Sequence, residues 1–146
     1  MDAVIFDVDG TLCDVSSIRH FVARPKGEKD FHAFHSAAAA CPPHQWVLDA
    51  AHEWAASGVA VLVVTARSEE WAVPTLWWHL LNEVPFTDIF HRPLRDFRKD
   101  VLIKTDILAE IRRRGYNVVH AYDDNPAIIA LWVSENIPVT EVPGWV

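Results

Sequence analysis

Cysteine is scarce in this chain: Cys13 and Cys41 are the only two among 146 residues, and neither belongs to a C-x-x-C pair. That excludes a disulfide framework and a cysteine-built zinc or redox centre, so both thiols are expected to pack as small hydrophobes. Long apolar runs are missing as well. No stretch approaches the roughly 20 residues needed to span a bilayer, and the opening Met1-Asp2-Ala3-Val4 lacks the basic-then-apolar layout of a secretory leader. A cytoplasmic protein without membrane contact is expected. Positive charge is in deficit, with 13 Lys and Arg against 20 Asp and Glu and a formal net charge of -7. Diffuse attraction to nucleic acid is therefore excluded, and any contact with a polyanion must come from a local basic patch. There is no G-x-x-x-x-G-K-[ST] loop to cradle a nucleoside triphosphate, and no internal repeat or low-complexity tract.

What is present is a chain 51% hydrophobic and 23% charged, enough to bury the core of one domain over residues 1–146. Three short apolar runs read as buried strands: residues 2–8, Val59 to Val64, and Tyr116 to Tyr122. They end in Asp9-Gly10-Thr11, Thr65-Ala66-Arg67 and Asp123-Asp124-Asn125-Pro126. Between them lie helical patterns, with faces expected at Trp46, Ala50, Ala51, Trp54 and Ala55, then Leu76, Trp77, Leu80 and Leu81, then Val101, Ile107, Leu108 and Ile111. A further helix is expected over Ala127 to Val133. This alternation predicts an α/β fold, a three-layer α/β/α Rossmann-like parallel sheet with its ligand site at the carboxyl ends of the strands. Residues 15–41 break the alternation and read as a small helical cap inserted within the domain.

Asp7 and Asp9 stand two residues apart just past the first strand, where alternation directs both to a common side. At an effective dielectric of 20, unit charges 4 Å apart interact by about 4 kcal/mol. Such a pair needs a cation, a shared proton, or both. A helix-capping turn is the bland alternative.

The run Asp7-Val8-Asp9-Gly10-Thr11 resembles the D-x-D-G-[TS] signature of the haloacid dehalogenase (HAD) superfamily of phosphatases. The resemblance implies that Asp7 is the nucleophile, forming an aspartyl phosphate, and that Asp9 is the general acid and then base. It further implies that Thr65 holds the phosphoryl oxygens, that Lys104 offsets the negative charge, and that Asp123 and Asp124 complete a Mg²⁺ site with Asp7 and the Asp9 carbonyl. Mg²⁺ takes few protein ligands and keeps several waters. Of the acidic pair, Asp124 is favoured as the direct ligand and Asp123 as a partner acting through water or Lys104.

Further segments resemble the 3'-phosphatase domain of polynucleotide kinase-phosphatases: Val63-Val64-Thr65-Ala66-Arg67, then Arg98-Lys99-Asp100 with Lys104 four residues on, then Tyr122-Asp123-Asp124. That implies a substrate at the 3' ends of DNA or RNA, in nucleic-acid end repair, bound by Thr65, Ala66, Arg67, Arg98, Lys99 and Asp100. Arg67 is placed to fork around a phosphate, or it is an exposed strand-end arginine. Asp100 and Lys104 face each other at helical spacing. Arg92, Arg95, Arg98 and Lys99 form the densest basic stretch, either a backbone track or a solvated loop. Arg112-Arg113-Arg114 complements a helix C-terminus and receives no substrate role. Trp71 is the tryptophan best placed to stack on a base, whereas Trp77 is expected in the core; His32 and His35 read as a solvated helix face before a metal pair. A nucleotidase or other small-metabolite phosphatase would use the same chemistry, and a phosphate-binding module without catalysis would have no use for Asp9 as a proton donor.

Overall fold

In the computed structural model, which describes residues 1–144, five parallel strands form one sheet. They are β1 (Asp2–Phe6), β2 (Ala60–Ser68), β3 (Asp88–Arg92), β4 (Asn117–Asp123) and β5 (Val139–Glu141). The spatial order β3-β2-β1-β4-β5 puts β1 in the centre, with β2 and β4 on either side. Five helices accompany them: α1 (Phe31–Ala38), α2 (Gln45–Ala56), α3 (Ala72–Leu81), α4 (Asp100–Arg113) and α5 (Pro126–Ser134).

The central strands are apolar on both faces, as a sheet covered on two sides demands. Val4 and Phe6 with Val61 and Val63 point to one layer, packed against Val47, Leu48 and Ala51 of α2 and Trp78 of α3. Ala3 and Ile5 with Ala60, Leu62 and Val64 point to the other, packed against Ile103, Ile107, Leu108 and Ile111 of α4 and Ile128 and Trp132 of α5. The expected three-layer α/β/α arrangement is thus found. Residues 15–41 hold a single 3-10 turn, Arg19–Phe21, followed by α1, whose N-cap Asp30 accepts a hydrogen bond from the Ala33 amide at 2.9 Å.

The sheet carries two more strands than the three apolar runs predict. β3 (Asp-Ile-Phe-His-Arg) and β5 (Val-Thr-Glu) are short edge strands, mixed in polarity and only partly buried. Edge strands need only one apolar face, so the continuous-run signal is absent from them. Two helix faces also differ from expectation. On α2 the buried residues are Val47, Leu48 and Ala51, while Trp46 is exposed. On α3 they are Thr75, Trp78 and His79, whereas Trp77 is 58% exposed and Leu80 and Leu81 face outward. α3 is apolar nearly all round, so periodicity does not choose its face. Polar ties do: the Trp78 indole donates to the Cys41 carbonyl at 2.9 Å, and Thr75 accepts from Arg67 at 3.0 Å.

Two backbone features shape the carboxyl end of the sheet. Val64 pairs with Phe90 and Ser68 with Arg92, so β2 advances four residues while β3 advances two. The surplus forms a bulge that lifts Thr65, Ala66 and Arg67 out of the ladder. At the end of the described chain, a Cβ on Gly144 would lie 1.9 Å from the Gly10 carbonyl oxygen. Only glycine permits that approach to the loop after β1.

Candidate active site

The three expected strand ends converge as the topology requires, since β2, β1 and β4 are adjacent. Asp7 and Asp9 follow β1, Thr65 and Arg67 lie on the bulge of β2, Asp123 ends β4, and Asp124 follows it. α4 supplies Lys104 from the layer below. Asp7, Asp9, Thr65, Arg67, Lys104, Asp123 and Asp124 all line one cavity of about 550 Å³.

The Lys104 ammonium donates to Asp7 Oδ1 and to Asp123 Oδ2, both at 2.9 Å, and all three side chains are buried. Burial alone would depress the lysine pKa, but the two carboxylates outweigh it and hold the group protonated. Asp7 is pushed well above the usual carboxylate range, first by burial and then by the charge of Asp123, against the pull of Lys104. Asp124 is raised to about 6, chiefly by burial. The Thr11 hydroxyl lies 3.2 Å from Asp7 Oδ2 and 3.1 Å from Asp124 Oδ1, within reach of both.

Oxygen ligands from Asp7, Asp123 and Asp124 lie within 4.8 Å of one another, and Asp124 Oδ2 is buried without a partner. Hard carboxylate oxygens, crowded and under-neutralised by one lysine, suit a small divalent cation such as Mg²⁺. Asp123 is engaged by Lys104, whereas Asp124 retains an unpaired oxygen.

Arg67 forks, but inward. Its Nε donates to Asp9 Oδ2 at 2.9 Å, its Nη2 to Asp9 Oδ1 at 2.5 Å, and its Nη1 to Thr75. The residue is 5% exposed, which rules out the reading as a solvated strand-end arginine. Burial would raise the Asp9 pKa, but the guanidinium beside it lowers it below the ordinary value. The Thr65 hydroxyl accepts from the Arg67 amide at 3.1 Å, which fixes the bulge.

The other expected substrate residues divide. Ala66 lines the cavity, and its carbonyl accepts from Arg92 at 2.9 Å. Asp100 faces Arg92 at 2.6 Å rather than Lys104, because the buried carboxylates draw the lysine to the opposite side. Arg98 lines the cavity but is tied to Asp96 and Asp106. Lys99 is exposed and lies outside the cavity lining. Arg112, Arg113 and Arg114 pair with Glu135, Glu110 and Asp88, away from the site.

Three participants carry no signal in the sequence that singles them out. Arg92, in the sequence one member of a basic stretch, holds the β3–α4 loop by donating to the Asp96 and Arg98 carbonyls. Thr11 had no role of its own. Phe97 reaches the cavity while 91% exposed. The Arg92 and Phe97 roles depend on loop closure, which spacing does not reveal. His35, read as solvated, is largely buried beside Trp71, with ring centroids 5.3 Å apart. Burial pushes its pKa down to about 4, so it is neutral near pH 7.

Comparison with known proteins agrees with this geometry. The family described as the polynucleotide kinase PNKP phosphatase domain matches residues 1–144. A protein of Autographa californica nuclear polyhedrosis virus, named as a candidate bifunctional polynucleotide kinase/RNA ligase, is 28% identical over 138 residues. That match covers 93% of this chain and 18% of the viral protein. Among solved structures, the Pnkp1/Rnl/Hen1 complex contains a chain with TM-score 0.81 and 23% identity, over 97% of this chain and 45% of the other. The Class C acid phosphatase from Bacillus anthracis, solved with tungstate bound, gives TM-score 0.67 at 11% identity, covering 99% and 68%. The chain thus spans under half the length of the first two relatives.

Proposed function

Because the chain belongs to the HAD-type phosphatase domain family of polynucleotide kinase PNKP, we propose that it is a Mg²⁺-dependent phosphomonoesterase removing the 3'-phosphate from DNA or RNA ends, in nucleic-acid end repair. The observation that carries the reading is a buried Asp7 held by Lys104 at 2.9 Å at the floor of a cavity shared with Asp9, Asp123 and Asp124. A carboxylate so fixed has one face committed to a cation and the rest of its reach directed into the cavity.

Asp7 attacks phosphorus in line. Its new O–P bond forms as the bond to the 3' oxygen breaks, and Asp9 gives that oxygen its proton. Asp9 then takes a proton from water as the water attacks the aspartyl phosphate, releasing inorganic phosphate and restoring Asp7. Lys104, kept charged by its two carboxylates, neutralises charge shared between Asp7 and the phosphoryl group. Thr65 and the amides of the β2 bulge position the phosphoryl oxygens.

The Arg67 clamp favours ionised Asp9, the form needed for the second half-reaction. A phosphate dianion entering the cavity competes for the guanidinium and raises the Asp9 pKa by its own charge, favouring the protonated form needed first. Asp7, the Asp9 carbonyl and Asp124 would hold Mg²⁺, with Asp123 acting through Lys104. When bound, the ion offsets phosphate charge and aligns it with Asp7. Residues 15–41 form a small cap, and their shortness leaves an opening suited to a polymer end.

A substrate panel tests the reading. Phosphate release in MgCl₂ is expected from 3'-phosphorylated DNA or RNA, exceeding that from 5'-phosphorylated ends and free nucleotides. Vigorous turnover of mononucleotides with none of 3'-phosphorylated oligonucleotides would establish a nucleotidase instead.

A further inference from the structure

Arg67 uses both edges of its guanidinium. One edge, Nε and Nη2, forks onto the two oxygens of Asp9 at 2.9 and 2.5 Å. The other edge turns toward α3, where Nη1 donates to the Thr75 hydroxyl at 3.0 Å. Thr75 is wholly buried. A hydroxyl on the inward face of a helix is costly to desolvate unless it is paired, and an apolar side chain of the same size would fill the space. The one thing that Thr75 offers and valine would not is an oxygen for Arg67.

That oxygen is itself held in place. Thr75 lies in the first turn of α3, and its carbonyl accepts from His79 Nδ1 one turn later, at 2.8 Å. The His79 ring is wholly buried and packs edge-on against Trp78 and Phe86. The Trp78 indole ties the same helix to the Cys41 carbonyl at 2.9 Å. Arg67 is thus fixed at two ends, its amide by the Thr65 hydroxyl on the β2 bulge and its guanidinium by Thr75. A fork onto one carboxylate sets distance but still lets the guanidinium and carboxylate swing together about the arginine side chain. A third contact on the opposite edge removes that freedom. Each Asp9 oxygen keeps a further lone pair for a proton, so the clamp orients the carboxylate without blocking it.

We propose that Thr75 is a positioning residue of the reaction: through Arg67, its hydroxyl fixes the direction in which Asp9 presents its oxygens for the two proton transfers. The inference rests on the phosphatase reading, in which Asp9 is the acid and then the base. Helix α3, which contributes no group to the chemistry, thereby becomes part of the machinery that aims it.

The test is steady-state phosphate release from a 3'-phosphorylated oligonucleotide in MgCl₂. Thr75→Val exchanges the hydroxyl for a methyl group and should lower kcat by about tenfold or more, with KM changed by less than about twofold. Thr75→Ser loses the methyl group but keeps the oxygen, and should stay within about threefold of the native kcat. Circular dichroism melts establish that each variant is folded, and Thr75→Ala takes the place of Thr75→Val should valine not be accommodated. A folded Thr75→Val or Thr75→Ala with native kcat, or a Thr75→Ser as slow as either, overturns the proposal. Nitrogen-15 NMR of the Arg67 guanidinium, assigned by its loss in Arg67→Lys, gives a readout independent of turnover. Exchange between Nη1 and Nη2 should be slow in the native chain and in Thr75→Ser, and about tenfold faster in Thr75→Val. Equal exchange in all three overturns the proposal. If the native chain releases no phosphate from any ester, the phosphatase reading fails, and the proposed role in its proton transfers falls with it, whereas the NMR comparison still decides whether Thr75 holds the guanidinium.

Discussion

Asp7 is the residue on which opposing charges meet. Burial and two neighbouring aspartates disfavour its ionisation, against the pull of the Lys104 ammonium. Asp7→Asn removes a repulsive charge while keeping the shape, and Lys104 keeps Asp123 as its partner. The variant is expected to fold with an unchanged or raised Tm in calorimetry, and to lose phosphate release by at least about 10³-fold. A variant that turns over like the parent would show the nucleophile misassigned. Asp9 shows why a motif is read more easily than its environment. The sequence places two carboxylates together, yet only the folded chain shows that one is served by Lys104 and the other by Arg67, which arrive from positions 97 and 58 residues away.

Helix α3 separates what patterning can and cannot decide. Its existence is legible in ten residues without an acidic or basic charge other than His79, but its orientation is not, because apolar residues occupy every side. The inward face was settled by the hydrogen bonds of Thr75 and Trp78. Trp78→Ala is accordingly expected to cost about 3–5 kcal/mol, while the exposed Trp77→Ala stays within about 0.5 kcal/mol, measured as shifts in urea midpoint. The central strands, the carboxyl-end placement of the site and the residues of the signature were legible because buried strands are continuous apolar runs and the sheet topology follows from alternation. Edge strands β3 and β5, and the loop that Arg92 pins, were not, since their definition comes from partners distant in sequence.

The same helix carries a pH-dependent weakness. His79 is fully buried, with Nδ1 2.8 Å from the Thr75 carbonyl and Nε2 without a partner. Burial lowers its pKa to about 4 against an ordinary 6.5. Between those values the unfolded chain binds a proton that the folded chain does not. Its stabilising contribution is therefore complete above pH 6.5 and is lost as the pH falls toward 4, by about 3 kcal/mol. Thermal melts from pH 7 to 4.5 should show a falling Tm, with a shallower slope in His79→Phe.

Over the whole molecule, net charge and local charge act in the same direction. The chain is acidic by seven charges, and it gathers three buried carboxylates against one lysine at the centre of its sheet. Divalent cation binding should relieve that repulsion in the folded state only. At 100 times the dissociation constant the gain is about 2.7 kcal/mol, which for a chain of this size corresponds to a Tm rise of about 5–10 °C. Differential scanning fluorimetry with MgCl₂ against NaCl of equal ionic strength measures it. EDTA should reverse the rise, and Asp124→Asn should abolish it.

The contact between Gly144 and Gly10 makes a residue far along the chain part of the scaffold of the signature loop. Met1 is well exposed at the start of β1, at the opposite end of that strand from Asp7. Gly144 is wedged onto the signature loop with no room for a methyl group. Even a methyl side chain at position 144 would therefore press on the backbone that aims Asp7 and Asp9.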